Sequence, residues 1–354
     1  MTIQLQALGL ILFSLQLPAA ATIVAGANGG GNTTNNTTAA QYESKYGISA
    51  PIYENIIRYS DASGIYLGYN AATRDVWVLT ARHITTSASL IENQGRTVTI
   101  DGLVYNRQPA GSDGLGELPG GDLRLVRYNR PDLAVPTLAA INISTSIPLA
   151  GTTLFTAGYG QNRIQNAALT AFTPDSASVT VGQGYNWSGA NIKRWGVNQI
   201  EEEFLDALET TPTVTGTRGT FSFNSYETTG YMTDFDQPGI AQWQSSDESQ
   251  GSLGDSGGSA LYYSGGQWYL SGIYTAVAGF TGQAGSSSAF GNLSLLTDVA
   301  TYSGAINTAL GGVTLIPEPT SPVLVMIAGL LAFTRRNRLR VVSFSPHRVT
   351  TSQP

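Results

Sequence analysis

Short runs of alternating side chains, "IYLGY", "VWVLT", "TLFTAGYG" and "WYLSGIYT", recur along this chain between glycine and asparagine turns. Successive side chains of a strand point to opposite faces, so runs of this kind specify strands rather than a helical bundle. Valine, tyrosine, threonine and isoleucine suit a pleated, half-buried surface. Of the 354 residues, 42% are hydrophobic and 41 are glycine, enough for a sizeable core in one large or two small domains. The expected fold is all-β, a sandwich or barrel. Only "NQIEEEFLDALE" (198–209) and "VATYSGAINTAL" (299–310) space apolar residues three and four apart, as helices require.

The chain contains no cysteine. This excludes zinc fingers, iron–sulfur clusters, thiol catalysis and a disulfide framework, and leaves the core alone to carry stability. The two ends differ from the body. Residues 3–18 form an uncharged leucine-rich run followed by the small residues "PAAAT", which reads as a signal peptide over 1–22. Residues 23–40 include "GANGGGNTTNNTTAA", a low-complexity spacer too polar to pack a core. The body then spans 41–311. Beyond it, the twelve-residue apolar run Pro322 to Phe333 is followed by "TRRNRLR". The run is short for a membrane span, but the arginines behind it read as a stop with the basic side in the cytoplasm. Of 18 basic and 24 acidic residues, five arginines and one glutamate lie from Ile316 onward, so the remainder has a net charge of −10. Such a surface does not suit phosphate contacts, and no nucleic-acid partner is expected.

Two places in the body could carry chemistry. "GSLGDSGGSA", Gly251 to Ala260, sets glycines around Ser256. It could be a plain surface turn, or a bent backbone that aims amides at a developing oxyanion beside a nucleophilic serine. A serine hydroxyl is a poor nucleophile at neutral pH and needs a base, most often histidine. The chain has two histidines, and His347 lies in the tail beyond the arginines. His83, at the end of the β-like run "VWVLTARHI", is the imidazole available to the body.

"VLTARHI" and "GDSGGSA" together resemble the histidine and nucleophile motifs of trypsin-like (chymotrypsin-fold) serine peptidases. "DLRLVRY", "AGTTLFTAGYG", "WYLSGIYTAV" and "LLTDVATYSGAINTAL" follow in that family's order, so the resemblance spans roughly Pro51 to Leu310. It implies two six-stranded antiparallel β-barrels with a short C-terminal helix and a cleft between them. Where the family has cysteines, this chain has Ile84 after the histidine and Ser252 in the loop, and Ser259 stands where proline is common. Residues 161–249 diverge from the pattern and are expected to hold insertions that shape the substrate site.

The resemblance implies a serine endopeptidase with Ser256 as nucleophile, His83 as general base and Asp122 as the group that orients the imidazole. Asp113 and Asp132 are nearby alternatives to Asp122. The backbone amides of Gly254 and Ser256 would form the oxyanion hole, and no cofactor or metal is needed. Gln250 falls at the base of the substrate pocket, with Thr275 and Val277 on the facing strand. No aspartate occupies the base, and a β-branched Val277 narrows the wall, which points to cleavage after small or medium uncharged residues. Asp247 or Glu248 would reach the base only if the register slips by two or three residues. Asp255 is expected to be satisfied by local amides, and "IVAG" at Ile23 to be the trailing edge of the signal peptide rather than a mature terminus.

"PEPTSPVLVMIAGLLAFTRRNR" resembles the PEP-CTERM sorting signal of Gram-negative bacteria, over residues 312–354. That implies export to the periplasm, cell surface or extracellular matrix, processing by an exosortase-like partner, and transient membrane association through residues 322–333. A catalytically silent surface binding module on the same fold is the alternative function, and a structural surface protein a third.

Overall fold

The computed structural model describes residues 23–24, 38–70, 72–85, 97–108, 116–118, 120–168, 184–200, 219–223, 226–237, 246–280 and 282–310. In chain order its elements begin with strand β1 (Ile23–Val24), helix α1 (Ala39–Tyr46) and strands β2 (Ile56–Tyr59), β3 (Ala62–Tyr69) and β4 (Val76–Thr80). Next come β5 (Thr97–Ile100), β6 (Leu103–Arg107), β7 (Gly116–Glu117), β8 (Arg124–Asn129) and β9 (Asn142–Ile143). A long hairpin follows, β10 (Thr153–Ala168) and β11 (Gly184–Gln199), then β12 (Gly219–Phe223), β13 (Tyr226–Asp234) and β14 (Ser249–Gln250). The chain closes with β15 (Ser259–Ser264), β16 (Gln267–Ala278), β17 (Ser287–Ala289), β18 (Leu293–Asp298) and helix α2 (Val299–Leu310).

Two antiparallel sheets account for nearly all of these strands. The first has the order β2-β3-β4-β8-β6-β5, with β7 added alongside β8. Its end strands β2 and β5 come back into contact, so the sheet rolls into a nearly closed six-stranded barrel. The second has the order β12-β13-β18-β16-β15-β10-β11-β17, with β9 parallel to β16. Strands β11 and β13 approach each other, and Asn198 Nδ2 donates across that gap to Asp234 O at 2.6 Å. The fold is thus the all-β double barrel expected, with the C-terminal helix in place. The second sheet carries nine strands rather than six because β9, β12 and β17 extend it.

The alternation in β4 explains how the halves join. Val76 and Val78 pack inside the first barrel with Tyr66, Val126 and Tyr128. Trp77 and Leu79, on the opposite face, pack into a larger cluster with Phe155, Trp195, Leu261 and Leu270 of the second sheet. A strand buried on both faces reads as a continuous apolar run, as "VWVL" does. Each such side chain contributes about 1.5–3 kcal/mol when fully buried.

Two findings differ from the sequence reading. Ile23–Val24, expected at the edge of a signal peptide and spacer, is a strand that pairs antiparallel with β14, Ile23 opposite Gln250 and Val24 opposite Ser249. Ile23 is fully buried among Tyr185, Trp187, Phe235 and Phe290. Helix α1 starts inside the expected spacer and inserts Tyr42 edge-on against Phe155 and Trp195. Both segments are ordered by partners far away in sequence, which a local polar composition does not reveal. Residues 201–209 of the proposed helix, the proposed signal peptide and the whole of 312–354 lie outside the described residues. Among the described residues, no helix is long and apolar enough to cross a membrane.

Candidate active site

Strand β4 ends at Thr80, and the chain turns into a short 3-10 helix, Arg82–Thr85, that carries His83. The turn is fastened to the segment just before β8. Arg82 N donates to Asp122 O at 3.3 Å, and His83 N donates to Asp122 Oδ1 at 2.8 Å. Asp122 is completely buried, and its second carboxylate oxygen lies 2.6 Å from His83 Nδ1. One carboxylate therefore fixes both the backbone and the ring of the same histidine. An acceptor on Nδ1 places the proton there and leaves Nε2 as a base.

Asp122 is held from the other half of the molecule. Its amide donates to Thr228 Oγ1 of β13 at 2.8 Å. Tyr302 of α2 donates its hydroxyl to Gly120 O and accepts from Thr229 N. Of the two alternatives, Asp132 is an exposed residue paired with Arg130, whose guanidinium and the Ala134 amide hold its carboxyl well below the usual range. Asp113 lies outside the described residues.

His83 Nε2 is 2.8 Å from Ser256 Oγ. Sequence reading singled out all three side chains, and the structure brings them into one hydrogen-bonded row. The serine stands on the loop between β14 and β15, where Gly254 has φ +91, in the left-handed region open to glycine. Among the described residues, neither Gly254 N nor Ser256 N donates to another group. The hydroxyl of Ser256 has a base in contact, and the two amides belong to the same short loop. Such a set can attack a carbonyl carbon and hold the resulting oxyanion.

The loop is tied down on both sides. Ser63 of β3 donates its amide to Ser256 O at 3.0 Å and its hydroxyl to Gly254 O at 2.7 Å, and accepts from Tyr159 N at 2.7 Å. Gly257 N donates to Tyr274 O and Tyr274 N to Gly258 O, both at 2.9 Å. Asp255 accepts from Ser252 N at 3.0 Å and from Ser252 Oγ at 3.3 Å, the local satisfaction expected of it. Leu253 rests against the Ile23, Tyr185 and Phe290 cluster. Ser63, Thr228, Tyr274 and Tyr302 were not singled out from sequence. Each reads as one more alternating strand or helix residue, and only the long-range pairing gives it a role.

The proposed pocket residues fall beside this loop. Gln250 is buried in β14 and donates Nε2 to Leu293 O at 3.1 Å. Thr275 is buried, its hydroxyl 2.6 Å from Thr297 Oγ1, and Val277 is partly exposed toward the end of β16. Asp247 faces away, its carboxylate engaged by Lys45 Nζ and by the Tyr46 hydroxyl of α1. Burial, and next the Asp255 carboxylate, push the Tyr274 phenol far above its ordinary value, so it is neutral. Among the described residues no group of three or more acidic or histidine side chains could hold a metal ion.

No protein-family model and no curated protein sequence matches the chain. Solved structures are similar to it. One is the inactive form of a serine-to-alanine mutant of Rv3671c from M. tuberculosis, at 13% identity over 77% of this chain and 92% of that one, with a TM-score of 0.38. Another is neuropsin, a serine protease expressed in the limbic system of mouse brain, at 15% identity over 70% and 88% of the respective chains, with a TM-score of 0.36.

Proposed function

We propose that this protein is an exported serine endopeptidase that cleaves peptide bonds through an acyl-enzyme on Ser256. The observation that carries the reading is the row Asp122 Oδ2, His83 Nδ1, His83 Nε2, Ser256 Oγ, with spacings of 2.6 and 2.8 Å at its two hydrogen bonds. Ser256 Oγ bonds to the scissile carbonyl carbon while its proton passes to His83 Nε2. The carbonyl electrons move onto oxygen, where the Gly254 and Ser256 amides meet them. Asp122 stabilises the imidazolium through Nδ1 without taking its proton. The C–N bond then breaks, and the Nε2 proton leaves with the amine. Water repeats the sequence in reverse roles and releases the acid.

Protein and peptide substrates are the expected partners, with no cofactor in the cycle. Incubating the purified protein with an unstructured substrate such as casein should generate new amino termini, and the Ser256→Ala variant should generate none. Cleavage by Ser256→Ala at the wild-type rate would refute the reading. The sorting role proposed for residues 312–354 includes removal of everything after Pro317-Glu318-Pro319 by an exosortase-like enzyme. Mass spectrometry of protein recovered from its native cell surface checks this, and an intact Pro354 end would contradict it.

A further inference from the structure

The carboxylate that orients His83 stands at the end of a segment with little of its own to hold it. Gly120, with φ +77, and Gly121 precede Asp122, and neither offers a side chain for packing. The anchors come from two elements distant in sequence. Strand β18 ends at Asp298 and turns into α2, but β13 runs beyond it. Gly230 is the outermost residue of β13 opposite β18, at Thr297. Past that point, Thr229 and Thr228 lie opposite Thr220 and Phe221 of β12. There the arm meets the aspartate segment. Asp122 N donates to the buried Thr228 Oγ1 at 2.8 Å. The Tyr302 hydroxyl accepts from Thr229 N at 3.2 Å and donates to Gly120 O.

Tyr302 is itself fixed by its helix. Val299, Tyr302, Ile306 and Leu310 form the buried face of α2. Asp298 caps the start, accepting from Ala300 N at 3.0 Å and from Thr301 Oγ1 at 2.7 Å. The phenol ring closes over Gly121, where a Cβ would lie 2.5 Å from Cζ and 2.8 Å from Cε1. Any side chain at 121 would push the ring away. The polar atoms of Asp122 then divide by direction. Its carbonyl and both carboxylate oxygens face the turn of Arg82 and His83, while its amide is tied to Thr228. A backbone shift at 122 would therefore carry the carboxylate away from both His83 nitrogens at once.

We propose that Thr228 and Tyr302 are positioning residues for Asp122, so that the β12–β13 arm and the C-terminal helix serve the rate of acylation. The proposal rests on the endopeptidase reading above. It also gives the arm, which falls in the stretch 161–249 expected to shape the substrate site, a different task. Each residue acts through positions 120–122 rather than on the reacting atoms. Thr228 sets the height of the aspartate backbone, and Tyr302 stops the two glycines before it from swinging. Small displacements of a catalytic group are costly even when their cause lies outside the site.

The test compares Thr228→Val, Thr228→Ser and Tyr302→Phe with the wild type. Each is assayed for peptide hydrolysis and fluorophosphonate labelling, and by proton NMR of the His83 Nδ1 hydrogen in protein carrying isotope-labelled histidine. The resonance is assigned by its loss in His83→Ala. Thr228→Val keeps the shape but leaves the buried Asp122 N–H without its acceptor. Its kcat is expected to fall roughly 10- to 100-fold with KM little changed. Thr228→Ser keeps the oxygen and should recover most of that loss. Tyr302→Phe keeps the ring over Gly121 and removes both hydroxyl bonds, and a fall of about 10-fold is expected. It tests the proposal even if the valine variant does not fold. In both impaired variants the Nδ1 resonance should broaden and move upfield as its bond to Asp122 loosens. A loss of stability alone would leave that resonance in place in the folded protein. Wild-type kcat in Thr228→Val and Tyr302→Phe, an unmoved resonance in both, or a serine variant as slow as the valine one would overturn the positioning role alone. A wild type that neither labels nor cleaves would overturn the endopeptidase reading and this proposal with it.

Discussion

His83 and Asp122 belong to one region, Ser256 to another, and the two are built differently. The first pair hangs from a barrel whose interior is apolar, and two backbone-anchored hydrogen bonds join the histidine turn to the aspartate segment. The nucleophile loop is instead bordered by a local cluster of buried polar groups. Ser249, in the strand that leads into it, is bonded to Thr156 and Asn198, with Thr156 Oγ1 2.8 Å from Ser249 Oγ and Asn198 Nδ2 donating to Ser249 O at 2.8 Å. Ser294 accepts from the Gly251 amide, Ser63 donates to the Gly254 carbonyl, and the Ser252 amide donates to the Asp255 carboxylate within the loop. A chain without cysteine holds its most demanding loop with buried hydroxyls and amides in place of covalent staples. Such a network is rigid only while every member is satisfied, so the loop is the more sensitive region to small polar substitutions.

The largest effects should come where the regions meet. His83→Ala and Ser256→Ala are each expected to lower kcat by about 10⁴-fold or more with the fold retained, since the members of the row act as a unit. Asp122→Asn should cost about 10⁴-fold near neutral pH, because an amide in place of the carboxylate no longer enforces the tautomer. Asp132→Asn should leave the rate unchanged. Steady-state kinetics beside circular dichroism checks all four, and a severe loss at Asp132 with little at Asp122 would reverse the assignment.

A smaller effect distinguishes the two modes of support. Ser63→Ala removes a hydroxyl that joins Gly254 O to Tyr159 N and leaves buried partners unpaired, a cost of about 1–3 kcal/mol. The predicted result is a fall in kcat of roughly 10- to 100-fold with KM little changed, because the oxyanion amides lose their alignment. A rise in KM at constant kcat would show that the hydroxyl serves substrate binding instead. The smallest effect is expected at the rim. Lys45→Met breaks the pair with Asp247 that fastens α1, and the half-exposed lysine should cost no more than about 1 kcal/mol in denaturant unfolding. Loss of activity from Lys45→Met would mean that α1 supports the loop as strongly as Ser63 does.

The same contrast explains what could be read from the sequence. Strand alternation, the helix at 299–310 and the motif pair around His83 and Ser256 are local patterns, and they appear in the structure where expected. Asp122 could be chosen because it precedes the alternating strand "LRLVRY", whereas Asp132 follows a proline. Ile23–Val24 could not be read, since two residues have no period and their partners, Ser249 and Gln250, are far along the chain. Ser63 and Tyr274 sit in strands where alternation predicts burial but says nothing of which loop they hold. The supports of the nucleophile loop are therefore less legible than the chemical groups on it.

The central claim is that His83, held by Asp122, activates Ser256, and the most direct measurement is the rate and position of fluorophosphonate labelling. One label per chain is expected, found on Ser256 by peptide mapping, with the rate reduced at least about 10³-fold in His83→Ala and in Asp122→Asn. A label on another residue, or a Ser256 rate indifferent to His83→Ala, would contradict it.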